Sequence, residues 1–216
     1  MGNFEGIIID QLNEEDPNIS LTNSFMQTLC DKIIAFKNTD LSEIVSMCHT
    51  DYHRYGLTTL SQYCKPIYLN TSSQINSNED YSKLRGNGKA LCFVFDTRTF
   101  AKQEQRLPAS EDYGRFMLLM RSLGHNVVPK IHLSKREILS MFEKTAKCKL
   151  DDYYAIVIYF SCTMVNVFLD GALKPSIVLK NGEYLPCQDI ISLFPNIASQ
   201  PIILIVNSFY SGDCVG

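Results

Sequence analysis

Three short, uninterrupted apolar runs constrain the fold of this 216-residue chain more than any other feature. They are residues 90–95 (ALCFVF), 153–160 (YYAIVIYF) and 202–206 (IILIV). Each is far shorter than the roughly 20 apolar residues that a membrane span needs. None alternates with polar residues, as a strand with one face in water would. The runs therefore predict strands of a parallel sheet that is buried on both faces.

Helical patterns lie between these runs. Residues 110–123 begin with Ser110 as a plausible N-cap and have apolar residues at helical spacing, and the charges of Glu111 and Asp112 suit the positive end of the helix dipole. Ser134 and Glu137 form a capping box that opens a second helix. Strands that alternate with helices predict an α/β fold, a mostly parallel sheet with helices on both faces. Ligands of such sheets bind beyond the carboxyl ends of the strands, here residues 161–163 and 207–212.

The composition changes near residue 88. Residues 1–88 are polar and interrupted, with one amphipathic helix over 24–36, a second short helix from Asp40 to Met47 and a polar linker over 70–80. This change predicts an N-terminal, prodomain-like extension, 1–88, followed by one domain, 89–216.

Charge and cysteine usage exclude several kinds of partner. Lys and Arg total 20 and Asp and Glu total 23, a net charge of −3, so nothing favours nucleic acid or an anionic membrane. The eight cysteines are scattered and form no CxxC pair. Without an export signal they predict reduced thiols in the cytoplasm, with no metal and no cofactor.

Two segments resemble a known family. The segment RSLGHNVVPKIHLSKREIL is similar to the helix, strand and capped helix of a caspase large subunit, and PIILIVNSFYSGD is similar to the strand that carries the caspase nucleophile. The resemblance covers residues 89–216. It implies a three-layer caspase-like fold that lacks the strands of the small subunit, and hence an exposed edge on the strand 202–206.

The resemblance places each catalytic position on a residue of this chain. The nucleophile position is Phe209, and the histidine and the glycine after it fall on Cys162 and Thr163. Phe209 and Cys162 are 47 residues apart, near the spacing of about 50 expected between nucleophile and histidine. Arg106 keeps an arginine of the aspartate pocket, and Asn207 begins the nucleophile motif; both are expected remnants of the substrate pocket.

Phenylalanine has no ionisable proton, so the resemblance predicts a chain that is not an enzyme. It implies a caspase homologue that regulates apoptosis by binding a caspase precursor or its activator, with inhibition favoured and the exposed sheet edge as one means of pairing. One alternative is an aspartate-directed cysteine endopeptidase that uses Cys162. Another assigns the interaction to residues 1–88. A simpler interpretation gives none of the three residues a functional role. In it, Phe209 fills a former pocket, Cys162 is a buried small residue and Arg106 is a solvated loop residue.

Overall fold

The computed structural model describes residues 4–12, 25–51, 55–61, 68–70, 88–97, 107–148, 150, 152–179, 182–193 and 202–215. The elements, in chain order, are β1 (Phe4–Leu12), α1 (Phe25–Ala35), α2 (Leu41–Asp51), β2 (Tyr55–Ser61), β3 (Lys89–Asp96), α3 (Leu107–Ser122), β4 (Asn126–Ile131), α4 (Lys135–Ala146), β5 (Tyr153–Leu169), β6 (Ala172–Val178), β7 (Tyr184–Pro186), α5 (Cys187–Leu193) and β8 (Ile202–Val215). None of the helices among these elements is long and apolar enough to span a bilayer.

The strands form one sheet. Its main order is β2-β1-β8-β5-β3-β4, and β6 and β7 continue from β5. The pairs β1–β8, β8–β5, β5–β3 and β3–β4 are parallel, whereas β1–β2, β5–β6 and β6–β7 are antiparallel. The predicted α/β fold with a mostly parallel sheet and helices on both faces is confirmed.

The N-terminal segment adds two strands to this sheet. β1 pairs with β8 from Phe4 opposite Ile202 to Leu12 opposite Tyr210, and β2 pairs with β1 on its other side. The expected exposed edge on the strand 202–206 is therefore wrong, because β8 has a neighbour on each side. β1 and β2 take the side of β8 where the resemblance implied missing strands. The domain boundary near residue 88 stays a prediction, although the sheet includes strands from both sides of it.

Each face of the sheet has its own core. One core packs α1, α2 and α3 against alternate residues of β3, β5 and β8, among them Cys92, Tyr159 and Ile205. The other core packs α4 and α5 against the intervening residues, such as Phe95, Phe160 and Val206. Because side chains alternate along a strand, the continuous apolar runs supply both cores at once.

The helices follow from local sequence, as predicted. The α1 residues Met26, Leu29 and Ile33 recur at helical spacing and are fully buried. In α4 the capping box is present: the Ser134 hydroxyl accepts from the backbone N–H of Glu137, and the Glu137 carboxylate accepts from the backbone N–H of Ser134. The pKa of Glu137 is lowered because its carboxylate accepts from the backbone N–H of Ser134 and, at 2.7 Å, from the Ser134 hydroxyl.

Candidate functional site

A single row of paired residues crosses the sheet where β3 and β4 end. It comprises Leu57, Ile9, Asn207, Ser161, Asp96 and Ile131 in the order of the strands. The strands β5 and β8 continue beyond it, to Leu169 and Val215. Backbone bonds hold the strand ends together. Thr97 N–H donates to Ser161 O at 3.1 Å, and His132 N–H donates to Asp96 O at 3.0 Å. These bonds fix the end of β3 to β5 and to the segment after β4, and the site expected at this level of the sheet stays a prediction.

The predicted catalytic positions lie on β5 and β8, directly after this row. The Cα partner of Cys162 is Ser208, and that of Thr163 is Phe209. Neighbouring strands are about 4.8 Å apart, so the backbones at Thr163 and Phe209 are immediate neighbours. The side chain of Phe209 and the whole of Arg106 lie outside the residues whose placement is described, and their roles stay predictions.

Cys162 is a core residue in this structure. Its side chain is 1% exposed and belongs to the core under α4 and α5. Thr163, one residue on, is half-buried. A nucleophilic thiol needs a path to the substrate and a neighbour that lowers its pKa. The burial of Cys162 gives no support to the predicted alternative in which it attacks a peptide.

Asn207 joins a buried polar network on the opposite face. Its side-chain amide donates to Asp112 Oδ2 at 3.3 Å and to Tyr159 Oη at 3.2 Å. Asp112 is 2% exposed and also pairs with Arg115 Nη1, 3.4 Å from Oδ1. The role of Asn207 in a substrate pocket stays a prediction, but its amide already has two partners within the fold.

Tyr159 in this network and Cys30 beside it have raised pKa values. Burial, followed by the charge of Asp112, raises the pKa of Tyr159 well above its ordinary value, so this hydroxyl stays protonated. Burial raises the pKa of Cys30 to about 12, and Asp112 again contributes to the rise. Both residues are neutral at physiological pH. The network therefore holds α3 against β5 and β8 next to this row.

The role of Asp112 in this network differs from the one that the sequence predicts. Asp112 was expected near the N-terminus of a helix beginning at Ser110, as a charge complementing the helix dipole. The helix begins instead at Leu107, and Asp112 reaches Asn207, 95 residues away. One signal was available in the sequence. A tyrosine inside the apolar run 153–160 needs a partner for its hydroxyl, and polar residues at the strand ends are the natural candidates.

Comparison with known proteins finds similarity among solved structures alone. No protein-family model and no curated protein matches the chain. The Drosophila initiator caspase Dronc matches with 15% identity and a TM-score of 0.48 over 62% of this chain and 56% of its own. Caspase-1 from Spodoptera frugiperda matches with 17% identity and a TM-score of 0.40 over 57% and 47%. The chain thus spans about half the length of the caspase chains that it matches.

These comparisons correct one prediction. The chain was predicted not to be an enzyme, but the solved structures to which it is similar carry the names of caspases. The prediction is therefore wrong as it stood. It depended on the phenylalanine at position 209, whose side chain is outside the described part of the structure. The function proposed below does not depend on the absence of catalysis.

Proposed function

We propose that this chain regulates caspase activation by binding a caspase precursor or its activator in the cytoplasm, and that it lowers the rate of activation. The proposal combines the sequence resemblance at residues 161–163 and 207–212 with an exposed apolar surface on the hairpin in which β5 ends. The cysteines at positions 30, 48, 92, 148, 162 and 187 form no disulfide, which supports a reducing compartment.

The observation that carries the proposal is the tip of the β5–β6 hairpin. Phe168 and Leu173 face each other across this hairpin, and their side chains are 57% and 55% exposed. Asp170 and Gly171 make the turn with φ of 52° and 80°, as two-residue hairpin loops require. Lys174 pairs with Asp170 at 2.7 Å beside the turn. The hairpin therefore presents two large apolar side chains on a well-defined support.

The exposed area of Phe168 and Leu173 is large enough to change a binding affinity measurably. A fully buried Phe or Leu side chain is worth about 1.5–3 kcal/mol, and slightly more than half of each remains to be buried. Covering both would contribute about 2–3 kcal/mol, which corresponds to roughly 30- to 150-fold in Kd. That is the contribution expected of a small hot spot.

Strand addition at β8 or at β4 is a poorer means of contact for this chain. β8 is covered on both sides, and β4 forms one end of the main sheet order. Pro129 in β4 has no N–H to donate, and Lys130 adds a charge next to it. Both features protect an edge strand from pairing with another chain. The side-chain surface of the hairpin is therefore the better contact.

The test is a binding and activation assay. The purified full-length chain is mixed with a caspase precursor from the same organism, and capture and the rate of precursor activation are measured. We expect capture and a lower rate, both lost in the double variant Phe168→Ser, Leu173→Ser. Leu118→Ser is the matched control, because Leu118 is 62% exposed but lies on α3. Absence of capture, or equal loss with Leu118→Ser, would overturn the proposal. A raised rate would overturn its inhibitory part.

A further inference from the structure

Residues 68–70 form a clamp between the N-terminal helices and the sheet. Their three consecutive carbonyls accept hydrogen bonds from three different elements. Tyr154 Oη donates to Tyr68 O at 2.7 Å, His125 Nε2 lies 2.9 Å from Leu69 O, and Asn38 N–H donates to Asn70 O at 2.9 Å. The Leu69 side chain is 1% exposed and belongs to the core under α1, α2 and α3.

The clamp also holds the end of α1. The side-chain amide of Asn70 donates to Ile33 O at 2.8 Å and to Ile34 O at 3.3 Å, two carbonyls in the last turn of that helix. Carbonyls at a helix C-terminus have no partner within the helix, so this amide satisfies them. A change in the clamp therefore acts directly on the docking of α1.

His125 is placed at the clamp by the end of α3. Gly124, with φ of 83°, allows a Schellman turn in which His125 N–H donates to Met120 O and Gly124 N–H donates to Arg121 O. This turn brings the imidazole, 8% exposed, between Leu69 and the start of β3.

The hydrogen bonds of His125 require a neutral ring. Ala90 N–H donates to Nδ1 at 3.2 Å, so Nδ1 must carry a lone pair. Nε2 faces a carbonyl oxygen, so Nε2 carries the proton. A second proton on Nδ1 would place two N–H groups against each other in a buried site.

The surroundings of the ring do not favour a positive charge. Burial lowers the pKa of His125, and the bond to Leu69 opposes this only in part. Tyr154 on β5 contacts the ring, with 6.1 Å between the ring centroids, and the cations at the near ends of α3 and β3, Arg121 and Lys89, are exposed. The acidic residues of these two elements, Glu111, Asp112 and Asp96, lie toward the opposite ends of α3 and β3.

We propose that His125 is a pH-sensitive latch: protonation of its ring opens the clamp and loosens α1 and α2 from the sheet. A histidine whose pKa is lower in the folded state stabilises the fold fully above its unfolded pKa of about 6.5. That stabilisation is lost as the pH falls below about 6.5 toward the folded-state value. In this window the folding equilibrium constant falls by up to about tenfold per pH unit.

The test compares the full-length chain at pH 7.5 and pH 5.5 by urea unfolding and by amide hydrogen exchange corrected for intrinsic rates. In the wild-type chain, exchange at Ala90 and Asn38 is expected to accelerate at the lower pH. In His125→Gln the free energy of unfolding differs less between pH 7.5 and pH 5.5, because the variant lacks the one proton that the imidazole binds. Tyr154→Phe is the matched control, since it removes a clamp bond that does not titrate in this range and weakens protection equally at both pH values.

If His125→Gln does not fold, the ring of His125 is titrated by NMR in the wild-type chain instead. An imidazole that titrates below 6.5, together with loss of Ala90 protection over the same range, supports the latch. A ring that titrates at or above 6.5, or protection of Ala90 and Asn38 that is the same at both pH values, overturns it.

Discussion

Truncation of Leu29 in α1 tests whether the N-terminal helices belong to the common core. Leu29 is fully buried in the same core as Cys92 of β3 and Ile205 of β8. Replacing a buried leucine with alanine removes three carbons from the core and leaves a cavity, at a cost of about 2–5 kcal/mol. Whole domains are stable by about 5–15 kcal/mol, so Leu29→Ala removes a large fraction of the total.

The assay is urea unfolding of the full-length chain, followed by far-ultraviolet circular dichroism and by tyrosine fluorescence, because the chain has no tryptophan. We expect both signals to shift together to lower urea by the full 2–5 kcal/mol. Amides in β3 and β5 should also exchange faster. Ile34→Ala is the matched control: Ile34 is 53% exposed in the same helix, so its truncation should change stability by no more than about 0.5 kcal/mol.

A separate unfolding transition of the N-terminal elements at lower urea would refute this prediction. If residues 1–88 were an independent extension, Leu29→Ala would shift only the unfolding of that extension. Hydrogen exchange in β3 and β5 would then be unchanged, and the burial of Leu29 against the sheet would have no energetic meaning.

Three further predictions concern the network, the thiols and the glycines. Asn207→Ala removes a donor from the buried Asp112 carboxylate and should cost about 1–3 kcal/mol in urea unfolding, whereas Asn126→Ala, at an exposed amide, should cost far less. Burial raises the pKa of Cys92 to about 12, so at pH 8 iodoacetamide should label exposed Cys148 and leave Cys92 unlabelled until the chain unfolds, as read by peptide mass. Gly171→Ala should destabilise the fold by about 1–2 kcal/mol because φ is +80° there, whereas Gly114→Ala, in open space within α3, should raise Tm.

The elements after residue 88 were predictable because their signals are local. The run 153–160 could only be a buried strand or a helix segment, and its length and β-branched residues favoured the strand. The structure extends this strand to Leu169, past the polar residues Ser161 and Thr163. That extension depends on pairing with β6 and β8, which no local pattern contains.

The strands β1 and β2 were missed for the same physical reason. The uninterrupted apolar run of β1 is only three isoleucines long, Ile7 to Ile9, with Gly6 before it and Asp10 after it. Such a segment becomes a strand through its partners, and the main partner of β1 lies 198 residues further along the chain. The Asp112–Asn207 contact was equally hidden, because it joins two elements whose arrangement follows from the whole sheet.

The pairing of the first strand with the last has a consequence during synthesis. A ribosome adds about 5–20 residues per second, so β1 is made roughly 10–40 s before the stretch of β8 that lies beside it. Until then β1 can be held by β2, which follows it by some 50 residues. A nascent chain that stalls in this interval exposes the edge of β1 that β8 later covers, and another extended peptide could pair with it.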